Sequence, residues 1–504
     1  MNPEIIQTIP AQRLHKQATS IAKPERITVG TLIAGWVIAL TPHLLVVLIF
    51  LKYPIALDDM YQYDMIARSL SSGSGYRWYS NSDVEVLEPY YSKIADLSKI
   101  NFPENGFLTA FRAPGYPVFL SGLYSLVSSQ SRFMLARLVQ AGLLALLTPA
   151  AILFSTKMGF GRKSAILAGL GIGFYPILLL YPVGLASENL FIPLVSLSLL
   201  ALIYAMDTGG VKRVILAGCF LGAVMLTRSI LAPFVLLASV WFAHYGKMGK
   251  KAGALLLLVA FGMCIPSAAR NTWIMKRPAF VESSLGYNLF VGYHPEGNGG
   301  FVSKVAILPM TITDDAERDG YCTEMAWNYI KSYPAEAARR VFHRAIFFMG
   351  VETREFSYFY SNNYLGHIPQ PWLALVYSLL VVPWISTVFF SLLGFEMTSK
   401  KFAFLVLAFF IGYVVPHFFV LAEPRFHLAL LPVLIPFAAK GWTDRKPAIR
   451  RLEHQLQTFP VKVAICYYTP FCLIILLWLF DFTEKWSTLL ALMGPNGNKL
   501  FMPY

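Results

Sequence analysis

The chain is predicted to be an all-α polytopic membrane protein, on three observations. Of its 504 residues 56% are hydrophobic and only 14% charged, apolar stretches long enough to cross a bilayer recur along it, and Lys and Arg gather between those stretches. The net charge of +14 raises nucleic acid as a partner, but no basic stripe interleaved with aromatics exists, so orientation in a membrane explains the charge better. Of five cysteines, only Cys322 stands in a long polar loop, which argues against an intrachain disulfide framework.

Taken in order, Arg13, Lys16, Lys23 and Arg26 precede an apolar stretch at 27–51, too long for a cleaved signal core and read as a retained anchor. Further spans are expected near 133–156, 164–182, 188–206, 213–227, 229–244, 252–269, 371–394, 402–422, 424–440 and 461–482, about eleven in all. The apolar segment from Pro114 to Val127 has only fourteen residues and begins with Pro114, Gly115 and Pro117, which suits an interfacial or re-entrant helix. Positive-inside counting supports leaving it out, since counting it as a span inverts every later loop. Without it, one side holds Lys157, Arg162 and Lys163, then Lys212 and Arg213, then Lys247, Lys250 and Lys251, then Lys400 and Lys401, then Lys440, Arg445, Lys446, Arg450, Arg451 and Lys462. The short loops opposite contain only Arg228 and Arg425.

This topology places two large loops, 52–132 and 270–370, on the outer side. A catalytic membrane domain is expected over 1–440, followed at 441–504 by a basic loop, a last span and a short tail. Charges within spans fall at outer ends, at Arg137, Glu188, Arg228 and Arg425, which argues against a transport site at the midplane. No Walker A loop, HExxH pair or CxxC occurs.

Asp58 and Asp59 stand where the first span should leave the lipid, which is costly for carboxylates inside hydrocarbon and cheap just outside it. A solvated loop start is the plain alternative. Carboxylates and arginines gathered at one water–lipid boundary suit glycosyl transfer from a lipid phosphate. A hydroxyl acceptor loses a proton as it attacks the anomeric carbon, and a positioned Asp takes it. The leaving phosphate departs as an anion and needs cations rather than a second acid, so Arg112, Arg228, Arg270 and Arg425 are candidates to hold it.

The run Asp58-Asp59-Met60-Tyr61, then Arg112-Ala113-Pro114-Gly115-Tyr116-Pro117, Ser187-Glu188-Asn189, Leu226-Thr227-Arg228, Arg270-Asn271, Gly286-Tyr287-Asn288-Leu289 and Glu423-Pro424-Arg425-Phe426 resemble, in order and sidedness, the motifs of the membrane-embedded GT-C glycosyltransferases. The similarity is to the protein mannosyltransferase and lipid A aminoarabinose transferase branch (glycosyltransferase families 39 and 83), and covers roughly 30–440. Asp59 departs from that branch's usual Asp-Glu. The resemblance implies a GT-C fold with juxtamembrane helices, and Asp58 as catalytic base with Asp59 and Glu188 assisting. It implies Arg228, Arg270, Arg425 and Arg112 on the donor phosphate, and Tyr61, Tyr116, Asn271 and Asn288 near substrate. It further implies a polyprenyl phosphate sugar donor, a lipid, glycan or protein acceptor, inversion at the anomeric carbon, and a bacterial inner membrane with the active site facing outward. No metal is expected to be required, although an acidic pair can bind a divalent ion. A lipid-linked sugar flippase and a pyrophosphate-donor polymerase or ligase remain alternatives.

Plain readings compete at several residues. Glu188 suits a helix start, and Arg228, Arg270 and Arg425 suit interfacial anchoring. His294, His343, His367, His417 and His427 lack metal-ligand spacing. Asp314 and Asp315 read as the cap of a helix over 316–333. Tyr76, Trp78, Tyr79, Tyr90 and Tyr91 read as an interfacial belt before a sugar platform, and Gly297, Gly299 and Gly300 as a mobile turn.

Overall fold

A computed structural model describes residues 27–56, 58–91, 100–361, 366–395, 398–458, 461 and 468–499. The four basic residues ahead of the first span, Lys462 and the opening of the last expected span lie outside these, as do the side chains of Tyr90 and Tyr91.

Helices dominate, as the composition requires. Among the described residues, seven are long and apolar enough to cross a membrane: Val29–Ile49, Ser129–Lys157, Glu188–Thr208, Gly249–Met275, Trp372–Phe395, Lys400–Phe419 and Pro424–Thr443. An eighth is a broken pair, Arg162–Gly173 and Pro176–Val183, bent by 46°. Pro176 lacks the N–H that would continue the first helix and sits instead at the start of the second. Eleven spans were expected, and the other three expected positions are also helical. Val211–Thr227 has 17 residues, Ser229–Tyr245 is a shorter apolar helix, and Thr469–Leu492 carries Asp481, Glu484 and Lys485. The figure of seven or eight counts by length and composition alone, and these three helices fall short of it by length or by charge.

The first span starts at Thr28, whose hydroxyl accepts from Thr31 N at 3.2 Å, and buries only Ala39, His43 and Val47. Its remaining surface is apolar and outward, as a lipid-facing helix must be. The expected non-spanning segment is the ten-residue helix Gly115–Tyr124, about 15 Å long and too short to cross. Its start is pressed against the end of the helix Val211–Thr227, where a Cβ on Gly115 would lie 2.9 Å from the Leu226 carbonyl oxygen.

The two large loops share one core. The antiparallel pair Arg77–Trp78 and Phe107–Leu108 and the helix Asp59–Ser71 bring Tyr61, Met65, Trp78 and Phe111 against Tyr287, Phe290 and Cys322 of the second loop. Polar contacts fasten the joint. Asp315 accepts from Thr109 Oγ1 at 2.8 Å and from Ala110 N, and is paired with Arg318. Tyr76, Trp78 and Tyr79 are 8%, 2% and 8% exposed, so the belt reading is corrected: these rings form the interior of the joined loops. Asp314 does cap the helix Asp315–Ser332, accepting from Ala316 N and Glu317 N. Asp315 is instead the buried tie between loops.

Two devices fix the ends of spans, one at each end of the bundle. Gly394 and Gly441 let the helices Trp372–Phe395 and Leu431–Thr443 meet backbone to backbone; a Cβ on either would fall within 2.0 Å of a carbonyl oxygen of the other helix, Phe437 or Phe390. The buried Arg137 guanidinium donates to the carbonyls of Phe50, Leu51, Tyr53 and Val183 at 2.7–3.2 Å. It thereby satisfies the open end of the first span and a break in another. Arg137→Leu should therefore cost about 3 kcal/mol or more, by stranding several acceptors at once, read as a lowered thermal midpoint in detergent.

Candidate active site

Asp58 caps the helix Asp59–Ser71, its Oδ1 accepting from Met60 N at 2.9 Å. Asp59 is the first residue of that helix, so its carboxylate points the other way, into a cluster of arginines. Arg112 pairs with Asp59 Oδ1, and Arg425 reaches Asp59 Oδ2 at 3.0 Å. Arg112 is aimed by Gln62, one turn along the helix, whose Oε1 accepts from Nε at 2.9 Å, and it lies over the Tyr63 and Phe111 rings.

The network continues from Arg425. Its Nε donates to Glu423 Oε2 at 2.6 Å and lies 3.9 Å from Glu188 Oε1. Glu423 Oε1 pairs with Arg354 at 3.0 Å, and Glu188 with Arg228 at 2.7 Å. Arg228, at the C-cap of Val211–Thr227, also donates to Ser187 Oγ at 3.0 Å and lies over the Phe191 and Phe426 rings. Four guanidiniums thus face three clamped carboxylates, leaving one positive charge over.

The two neighbouring aspartates consequently differ. Withdrawal from water and the adjacent Asp59 push the Asp58 carboxyl up to about 6, against the pull of Met60 N–H, Arg425 and Arg354. Burial would raise Asp59 as well, but Arg112 and Arg425 override it and hold Asp59 well below the usual carboxylate range. Asp58 opens on a pocket walled by Arg354, Glu355, Arg425 and Tyr181, with Leu180, Tyr358 and Phe359 supplying apolar surface. A group that binds a proton near neutrality, two guanidiniums and an apolar wall can deprotonate a hydroxyl beside a bound anion.

Asp58, Asp59, Glu188, Arg112, Arg228 and Arg425 therefore come together as the sequence suggested. Other candidates are engaged elsewhere. Arg270 donates to the carbonyls of Thr109 at 2.8 Å and Tyr76 at 3.1 Å, and Asn271 to those of Phe280 and Val281; both hold the second loop to its neighbours. Tyr61 donates to Asp83 at 3.3 Å, Tyr116 to Gln140, and Asn288 reaches Ser284 Oγ at 3.5 Å. None of these five lines the pocket. His427 faces Glu352 at 2.9 Å, and no cluster of three metal-ligating residues occurs among the described residues.

Sequence reasoning missed Arg354 and Glu355. The signal was present: Glu352, Arg354 and Glu355 are charges set directly before the aromatic run 356–360 in an apolar neighbourhood.

No protein-family model and no curated protein matches the chain. Among solved structures it is similar to the archaeal oligosaccharyltransferase AglB from Archaeoglobus fulgidus in complex with an inhibitory peptide and a dolichol-phosphate, with 13% identity and a TM-score of 0.44 over 94% of this chain. A second similar structure is the Archaeoglobus fulgidus oligosaccharyltransferase in complex with Zn and sulfate, with 14% identity and a TM-score of 0.45 over 93% of this chain. The chain spans 60% and 57% of those two proteins. At TM-scores below 0.5 these likenesses fix neither fold nor activity.

The divergence of the aspartates has a testable sign. Asp59, with its proton affinity depressed on folding, stabilises the protein above its unfolded value near 4 and loses that contribution as pH falls. Asp58, with its affinity raised, loses its contribution as pH rises from about 4 through about 6. At pH 8, Asp59→Asn should lower the thermal midpoint by the equivalent of roughly 1–2 kcal/mol, the pair being partly exposed. Asp58→Asn should leave the midpoint unchanged or higher, as differential scanning fluorimetry of the two variants would register.

Proposed function

We propose that the protein is an inverting glycosyltransferase that moves a sugar from a polyprenyl phosphate to an acceptor hydroxyl at the outer face of the membrane. The observation that carries this reading is a carboxyl with proton affinity near neutrality, Asp58, opening on the same pocket as two guanidiniums. A general base works best when its pKa lies near the operating pH, and Asp58 stands there because burial and the adjacent Asp59 raise it more than Met60 N–H, Arg425 and Arg354 lower it.

In the step, the acceptor oxygen bonds to the anomeric carbon while the bond from that carbon to the phosphate oxygen breaks. The electron pair leaves with the polyprenyl phosphate. The acceptor's proton goes to Asp58, and attack from the face opposite the phosphate inverts the anomeric centre. Arg354 and Arg425 take the phosphate, since both reach the pocket. Arg228 and Arg112 act one step back, fixing Glu188 and Asp59 so that Arg425 keeps its direction. This revises the assignment of all four sequence-selected arginines to the phosphate: Arg354 and Arg425 line the pocket, whereas Arg112, Arg228 and Arg270 do not.

The proposed step uses no divalent cation. Asp59, Glu188 and Glu423 are each held by guanidiniums, and a dication would have to displace them. The donor enters sideways from the lipid and the acceptor, a lipid, glycan or protein, from the aqueous side beneath the joined loops. A bacterial inner membrane, with this face outward, agrees with the basic bias of the opposite loops.

Asp58→Asn should lower transfer about 10²–10⁴-fold with donor binding retained; an active Asn variant would remove Asp58 as base. The wild-type rate at subsaturating donor should climb through a single limb near pH 6 and level off above it. Arg354→Gln should weaken donor binding about tenfold, the loss of one charge-assisted contact to phosphate, measured by titration with polyprenyl phosphate.

A further inference from the structure

Glu355 has no assigned part in the transfer, yet its position is costly. It is 5% exposed, lines the pocket with Asp58, Arg354 and Arg425, and among the described residues no N–H or hydroxyl donates to either oxygen of its carboxyl, whose neighbour is the acid Glu352. An unmet buried carboxyl is unfavourable by several kcal/mol in general, so a group arriving from outside the protein is the natural partner.

The surroundings keep Glu355 available. One turn back on the buried side, Glu352 is fully buried and faces His427 Nε2 at 2.9 Å. The His427 ring is stacked 3.7 Å from Trp384, and its Nδ1 lies 3.0 Å from the Phe348 carbonyl oxygen. A neutral ring donating to that carbonyl accepts at Nε2, so Glu352 supplies the proton and stands as a neutral acid. Burial pushes Glu352 up to about 8, in agreement. Burial pushes Glu355 up to about 7. Arg354, the adjacent residue, pairs with Glu423 at 3.0 Å and not with Glu355.

The pocket is therefore divided by chemistry. Arg354 and Arg425 suit the phosphate, Asp58 the reacting hydroxyl, and Tyr181, Tyr358 and Phe359 offer ring faces and edges for a pyranose. Glu355 is the remaining carboxyl of the lining, and a sugar carries hydrogen-bond donors around its ring. We propose that Glu355 determines which sugar is accepted, by receiving a hydrogen bond from a hydroxyl or ammonium substituent of the donor's ring. Glu352 and His427 are its positioning residues. This rests on reading the pocket as the donor site.

The test uses the purified full chain, wild type and Glu355→Gln, titrated with decaprenyl phosphate, decaprenyl phosphate glucose and decaprenyl phosphate glucosamine. The variant should bind decaprenyl phosphate within about twofold of wild type, which also reports that it is folded, and bind a sugar-bearing lipid at least about tenfold more weakly. Loss confined to the glucosamine lipid identifies an ammonium as the recognised group, and loss with both identifies a hydroxyl. Unchanged affinity for both sugar lipids overturns the proposal. A wild-type protein that binds none of the three overturns the donor-site reading instead. Carbodiimide labelling of wild-type Glu355, located by peptide mass, gives a measurement that needs no variant. A sugar-bearing lipid should protect Glu355 more than decaprenyl phosphate does, and equal protection counts against the proposal.

Discussion

The carboxylate of Asp59, shared between Arg112 and Arg425, is the interaction on which the site depends. It joins the first residue of a juxtamembrane helix to the end of the first large loop and to a turn 366 residues further along the chain. Through Arg425 it reaches Glu423 and Glu188, and through those Arg354 and Arg228. Each charge has a partner, so none bears its full desolvation alone. Asp58 stays outside this mutual neutralisation. One residue's difference along the sequence becomes a difference in direction at a helix start, and thereby a difference in proton affinity.

The membrane spans were legible because hydrocarbon imposes length and hydropathy on any helix that crosses it. Basic loops led Asp58, Glu188 and Arg425 to be expected at one end of the spans, and Arg425 is indeed within 4 Å of both Asp59 and Glu188. What local composition leaves open is the partner of a polar or aromatic side chain. Tyr76, Trp78 and Tyr79 have the amphipathic character of interfacial residues, and only Phe111 and Tyr287 packed against them turn them into a core. Arg270 and Arg425 look alike in sequence, each beside a loop boundary. One meets backbone carbonyls and the other carboxylates, a distinction set by tertiary contacts. Arg354 and Glu355 lie beyond the one helix expected in their loop, over 316–333, on the helix Thr353–Ser361, so their approach to Asp58 could not be read.

The turn that carries Arg425 is tied to the helix before it. Tyr413 OH donates to the Phe426 carbonyl at 2.9 Å within Pro424–Leu430, and Pro424, His427, Leu428, Ala429 and Leu430 of the turn are buried. Arg425 is thus mounted on a stiff support. Electrostatic stabilisation of a leaving anion is most effective when its donors need no reorganisation as charge develops, and a close-packed mount supplies that condition.

The shared interior of the two loops also bears on how the chain is made. Thr109 and Asp315 meet across 206 residues, and Trp78 and Phe111 have their aromatic partner Tyr287 far downstream. A chain emerging at about 5–20 residues per second leaves the first loop without its counterpart for roughly ten to forty seconds, while several spans are still being inserted. During that interval its aromatic residues face water. The first loop therefore waits as an unfinished half during synthesis, its aromatic surface covered only when the second loop follows.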